Sequence, residues 1–118
     1  MAKSKVGFLP CFSKYKHEEY PIRNLYQRVS YVNKVKVLIS AMLDSQSPYE
    51  LKKQISQEVV PIRPTSAKAK QLIKLCNTSD QIYRIDYGDN PFRIVFDLSN
   101  KERLAHIHII DTKHSTLT

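Results

Sequence analysis

The chain is poor in cysteine, poor in acidic residues and without a long apolar run, and each shortage removes a class of protein. Its two cysteines, Cys11 and Cys76, are far apart in sequence, with no CxxC pair and no histidine at zinc-ligand spacing. A metal centre needs more ligands nearby, and a nucleophilic cysteine needs an oriented histidine. The two are therefore expected as reduced, mostly buried thiols, and no metal is expected. The longest apolar runs, such as Val37-Leu38-Ile39, fall far short of the roughly 20 residues that span a bilayer. The opening Met1-Ala2-Lys3-Ser4-Lys5 is basic, but no apolar stretch of signal-peptide length follows it, so a cytoplasmic location and no membrane partner are expected. Internal repeats and low-complexity segments are also missing.

What is present suits one globular domain over 1–118. Hydrophobic residues make up 42% and charged residues 25%, enough apolar surface to bury one core and ordinary for a folded protein. Nineteen Lys and Arg against eleven Asp and Glu leave a net charge of +8. A surplus of that size points to polyanionic partners such as nucleic acid, a ribosome or an acidic protein.

Along the chain, Val6 to Phe12 reads as a short strand ended by Pro10, and Ser13 to Tyr20 as polar loop or ragged helix. From Pro21 a helical period appears, with Leu25, Val29, Val32, Ile39 and Leu43 as one apolar face and Asn33 as the candidate division between two helices. Ser47-Pro48-Tyr49-Glu50 has the form of a capping box, opening a helix with Leu51, Ile55 and Val59 on one side. Pro61 and Pro64 exclude helix between them. Thr65 or Ser66 then caps a further helix, Ala67 to Leu75, with Ala69, Leu72 and Ile73 inward.

The period next changes to two. Gln81 to Tyr87, Pro91 to Leu98 and Leu104 to Asp111 read as strands, separated by Gly88-Asp89-Asn90 and Ser99-Asn100-Lys101. Short connections require antiparallel neighbours. The expected fold class is α+β, with N-terminal helices packed on a C-terminal antiparallel β-meander. Alternation puts Tyr83, Ile85, Tyr87, Phe92, Ile94, Phe96, Leu98, Ala105, Ile107 and Ile109 on the core face. Arg84, Arg93, His106 and His108 share the other face, with His114 just past the last strand.

Guanidinium groups beside imidazoles suit phosphate chemistry. Arginine grips phosphate bidentately, and histidine titrates near neutral pH. Cleavage of an RNA phosphodiester needs a base at the 2′-hydroxyl, an acid at the leaving 5′-oxygen and cations for the developing charge. His and Arg can supply all three without a metal. The plainer alternatives are that Arg93 is a strand residue paired with Asp97 or Asp86, that His106 and His108 are half-exposed strand residues, and that His17 is surface.

The stretches Ile82-Tyr83-Arg84-Ile85-Asp86-Tyr87-Gly88, Phe92-Arg93-Ile94-Val95-Phe96-Asp97 and Ala105-His106-Ile107-His108-Ile109-Ile110-Asp111-Thr112-Lys113-His114 together resemble the RelE/ParE toxin superfamily. Asn33-Lys34-Val35-Lys36-Val37-Leu38-Ile39 is similar to the family's second helix. The clear likeness covers about residues 81–114. It implies a RelE-like sheet backed by helices and, in the RelE-like branch, the toxin of a type II toxin-antitoxin system acting as a ribosome-dependent mRNA endonuclease without cofactor. The partners so implied are RNA on the ribosome and a cognate acidic antitoxin. Arg84 matches the basic residue of the first strand, Arg93 the phosphate-gripping arginine of the second, and Lys113 or His114 the catalytic C-terminal segment. The expected catalytic set is thus Arg93, His114 and Arg84, with Lys113, His106 and His108 binding RNA. Three departures stand out: extra sequence lies around Ser56 to Thr78, no Tyr follows His114 where several family members place one, and Asp86 stands where RelE itself is basic. The competing expectation is a non-catalytic basic interaction protein on the same scaffold, binding an acidic protein or nucleic acid. A plain nucleic-acid module ranks behind both, since helix-turn-helix, zinc and RRM signatures are lacking.

Overall fold

A computed structural model of the chain describes residues 7–87 and 92–112. It is α+β, with three α-helices and a five-stranded mixed sheet. The strands are β1 (Leu9–Cys11), β2 (Val59–Pro61), β3 (Ile82–Asp86), β4 (Arg93–Ser99) and β5 (Leu104–Asp111), in spatial order β1-β5-β4-β3-β2. The helices are α1 (Val29–Asp44), α2 (Pro48–Ile55) and α3 (Ala67–Cys76). The expected meander is present as β3-β4-β5, antiparallel throughout. The sheet extends it at both ends, with β1 parallel to β5 and β2 antiparallel to β3. The sheet as a whole is therefore mixed rather than a simple meander. A parallel neighbour for β5 needs a long crossover, and the helical half of the chain supplies it.

The helical period from Pro21 breaks at Arg28, not at Asn33. A 3₁₀ segment, Ile22–Gln27, precedes α1, and Arg28 between them is extended at φ −145° and ψ 134°. The buried stripe of α1 is Tyr31, Val35, Leu38, Ala41 and Met42, while Val29 and Leu43 lie exposed. The sequence carries two overlapping apolar stripes, and the one with spacings of four, three and four won because it faces the sheet. The capping box forms with one change. Ser47 Oγ accepts from the Glu50 amide at 3.2 Å, but Glu50 reaches back to the Gln46 amide at 2.8 Å, one residue before the cap. Helix α2 stops at Ile55, where Ser56 takes the left-handed conformation (φ 57°), so Val59 belongs to β2 and not to the helix.

Helices α1 and α2 cover one sheet face, over Ile85, Phe92, Ile94, Phe96, Leu98, Ala105 and Ile107. Tyr31 stacks on Phe92 with ring centroids 4.8 Å apart. Helix α3 covers part of the opposite face, burying Ala69, Leu72 and Cys76 against Ile62, Ile82, Val95 and Ile109. Ile73 is only partly buried there, and Cys76 takes the inward place expected of it. The sheet is thus sandwiched over part of its second face.

A β-bulge in β5 decides what that second face holds. Phe96 pairs with Ile107 and Val95 with Ile109, so His108 is an extra residue without a partner in the ladder. The bulge switches the phase of β5. Ile109 turns to the α3 side, against the expected alternation, and Ile110 joins the main core. The outer edge of β5 beyond β1 is closed by the loop before the 3₁₀ segment. The Lys16 amide donates to the His108 carbonyl at 2.9 Å. The Ile110 amide donates to the Tyr15 hydroxyl at 3.2 Å, and that hydroxyl donates to the Tyr20 carbonyl at 2.6 Å. Burial pushes the Tyr15 hydroxyl up to about 12, so it keeps the proton that this relay uses.

Candidate functional site: a basic groove beside a buried His–Asp–His network

Four of the expected site residues lie on the α3 side of the sheet, in two separate environments. Arg84 and Arg93 stand at the end that α3 leaves open. Asp86 is directly opposite Arg93 in the ladder and two residues from Arg84, so all three share a face. Arg84 Nε donates to Asp86 Oδ2 at 2.9 Å, and Arg93 Nε donates to Asp86 Oδ1. The pairing of Arg93 with Asp86 was one of the readings left open by the sequence. Arg93 is almost wholly buried, whereas Arg84 and Asp86 keep about a third of their side chains in solvent. Burial alone pushes the Asp86 carboxyl up, but hydrogen bonds from Arg84 and Arg93 and their positive charges outweigh it and hold it below the usual carboxylate value.

Above this cluster lies a groove of about 710 Å³, lined by Pro61, Ile62, Arg63, Thr65, Ser66, Ala67, Lys68, Ala69, Arg84 and Arg93. Four of those ten are cations and none is acidic. Its existence follows from the local sequence. Pro61 ends β2, Pro64 keeps the chain extended, and Ser66 caps α3 by accepting the Ala69 amide at 3.1 Å. The start of α3 and the connection before it therefore line the groove together with Arg84 of β3 and Arg93 of β4. Arg63 and Lys68 were not among the residues singled out from sequence. Only their place beside Pro64 and an N-cap hinted that they would sit at a helix entrance.

His106 and His108 do not join this groove, which corrects the expectation that they are half-exposed on an open face. His106 is 5% exposed and His108 is fully buried. Both bind one carboxylate: His106 Nδ1 lies 2.9 Å from Asp97 Oδ1, and His108 Nε2 lies 2.7 Å from Asp97 Oδ2. A carboxylate only accepts, so each of these ring nitrogens carries the proton. Burial pushes the Asp97 carboxyl up, but the hydrogen bonds and charges of His108 and His106 outweigh this and leave it lowered. Nδ1 of His108 is buried without a hydrogen-bond partner among the described residues. The physical reason for burial is the covering by α3 together with the bulge, which adds His108 beside His106 on Asp97. Cys76, at the end of α3, is also on this side, and burial pushes its thiol up to about 11, which keeps it unreactive. Cys11 and Cys76 are both free thiols, the first half-buried and the second buried.

Lys113 and His114, the two remaining expected site residues, lie outside the described residues. Asp111, at the end of β5, is directly opposite Arg93. Among the described residues there is no group of three His, Cys, Asp or Glu side chains able to hold a metal ion. None of the described helices is long and apolar enough to cross a membrane. Compared with known proteins, the chain matches no family model, no curated protein and no solved structure.

Proposed function

We propose that this protein is an RNA-cleaving enzyme of RelE type, the toxin of a toxin–antitoxin pair, that grips phosphate with Arg84 and Arg93 and cuts the adjoining phosphodiester without a metal. The observation that carries this reading is the pair of arginines, tied together by Asp86, in an otherwise acid-free basic groove. Two guanidinium groups on one phosphate supply charge-assisted hydrogen bonds and neutralise charge as it develops in the transition state. Buried as it is, Arg93 acts in a poorly solvated place, where such stabilisation is strongest. His106 and His108 are spent on Asp97, so proton transfer falls to the segment after β5. By the RelE resemblance His114, outside the described residues, is the group that serves as acid or base.

Primer extension on translating ribosomes tests the reading. Wild type should cut messenger RNA, and Arg93→Ala and His114→Ala should each lower the cutting rate by at least about a hundredfold, the usual range for a lost acid–base or charge-stabilising group. A folded double variant that cuts at the wild-type rate overturns it.

The withdrawal of His106 and His108 from solvent also favours a second reading, a non-catalytic protein whose groove only holds a polyanion. Its mark is binding that falls steeply with salt and no product at any ribosome concentration. In either case the charge of +8 makes an acidic protein partner, such as an antitoxin, the natural counterpart in a pull-down.

A further inference from the structure

The wall of the groove opposite Arg84 and Arg93 carries cations that the proposed cleavage does not use. Arg63, on the connection from β2, and Lys68, in the first turn of α3, are both exposed and both line the groove. The first turn of α3 contains no acidic residue, although that is where a carboxylate is most favourable. Thr65 and Ser66 add hydroxyl groups to the same wall. The sequence that builds it belongs to the stretch around Ser56 to Thr78 that the RelE resemblance leaves unmatched. At about 710 Å³ the groove is in the range that accepts a ligand of nucleotide size, well beyond what one phosphate needs.

We infer that Arg63 and Lys68 form a second phosphate subsite, and that the groove holds two neighbouring phosphates of single-stranded RNA, one on each wall. This rests on the proposed function for the kind of ligand and deepens it by adding the subsite. A single strand fits because its backbone can bend into a recess and its bases can splay away, whereas a duplex presents its phosphates on a stiff convex surface. The cations on the two walls come from different elements, β3 and β4 on one side and the β2–α3 connection with the first turn of α3 on the other. A strand lying in the groove is thereby held at two points, which fixes its direction as well as its position.

The test uses a fluorescent 2′-O-methyl oligouridine of about ten nucleotides, which cannot be cleaved through its 2′-oxygen, and follows anisotropy from about 50 to 200 mM KCl. Each phosphate contact to a single strand contributes about 0.7 to the slope of log affinity against log salt. Arg63→Ala/Lys68→Ala removes the one phosphate held on that wall and should lower the magnitude of the slope by about 0.7 relative to wild type and weaken binding across sequences. Both residues are exposed, and an unchanged melting temperature confirms that the variant is folded. A folded double variant with the wild-type slope overturns the subsite. So does a uridine monophosphate that competes as well as the oligomer, or a duplex of equal length that binds as tightly. The two proposals fail separately. Loss of slope without ribosomal cutting retains the subsite and removes the nuclease; cutting with an unchanged slope does the reverse.

Discussion

Single side chains differ greatly in what they can tolerate here. Gly7 lies against the C-terminal turn of α1, and a Cβ there would collide with the backbone carbonyl of Leu43 and approach that of Met42 at 2.8 Å. The obstacle is main chain, which cannot swing aside as a side chain would. Gly7→Ala should therefore cost about 2–3 kcal/mol, at the upper end for overpacking, seen as a lower urea midpoint with an unchanged slope. Asp97 is the most constrained charge. Its folded value is lowered from 3.8, so it contributes stability that is complete above pH 3.8 and is lost as pH falls through the lower folded value. Asp97→Asn should cost about 3 kcal/mol near neutral pH, since it takes the charge from a buried pair of imidazoles. It should also flatten the stability curve below about pH 3.8. Urea titrations at a series of pH values check both; equal acid sensitivity in wild type and variant would exclude the assigned role.

Among the elements, α3 decides how the second sheet face is divided between core and groove. Leu72 is 5% exposed and packs with Ile82, Val95 and Ile109. Leu72→Ala should lower stability by about 2–4 kcal/mol and speed amide exchange along β5 more than along α1. The β3–β4 pair carries a second dependence. Asp86→Ala removes from the buried Arg93 the carboxylate that its Nε meets. The cost should be on the order of 2–3 kcal/mol, less than for a fully buried pair because a third of the Asp86 side chain is in water. If the arginine pair is an anion site, inorganic phosphate should raise the melting temperature of Asp86→Ala more than that of wild type. Much at this scale was legible beforehand. The capping box and the last three strands follow from short-range chemistry and stand close to where the pattern put them, whereas the helix expected to run up to Pro61 already stops at Ile55. The fate of the histidines did not. Alternation correctly gave His106 and His108 a common face, but the cover over that face comes from α3, and the extra residue in β5 has no short-range signature. The groove was half legible for a similar reason. Arg84 and Arg93 followed from period two, whereas Arg63 and Lys68 reach them only through the tertiary placement of α3.

For the whole molecule, the open edges of the sheet matter most. Pro10 lies in β1 and Pro61 in β2, the two outer strands, so each edge carries a residue with no N–H to offer a further strand. Both strands are also only three residues long. Pro61→Val should extend the edge and increase self-association, detectable by sedimentation at rising concentration, without moving the groove cations of β3 and β4. A variant that stays as monodisperse as wild type would show that shortness alone protects the edge. The long chain path between β1 and β5 has a kinetic counterpart. Pairing of Leu9 with Leu104 closes most of the chain into one loop, a contact of high sequence separation that is expected to form late.

The bulge gives β5 an uncommon freedom. Deleting a residue from a strand ordinarily reverses every side chain beyond the gap. Here the ladder on both sides of His108 is regular, and the strand holds one residue more than its partner. Removing His108 would leave Val95 opposite Ile109 and Phe96 opposite Ile107, the pairs they already have. The shortened strand would keep its faces and would still bring Asp111 up to Arg93, and Asp97 would lose only one of its two imidazoles. In effect the chain carries a spare residue whose contribution is chemical, not geometric, and β5 can gain or lose it without relearning which way its neighbours point.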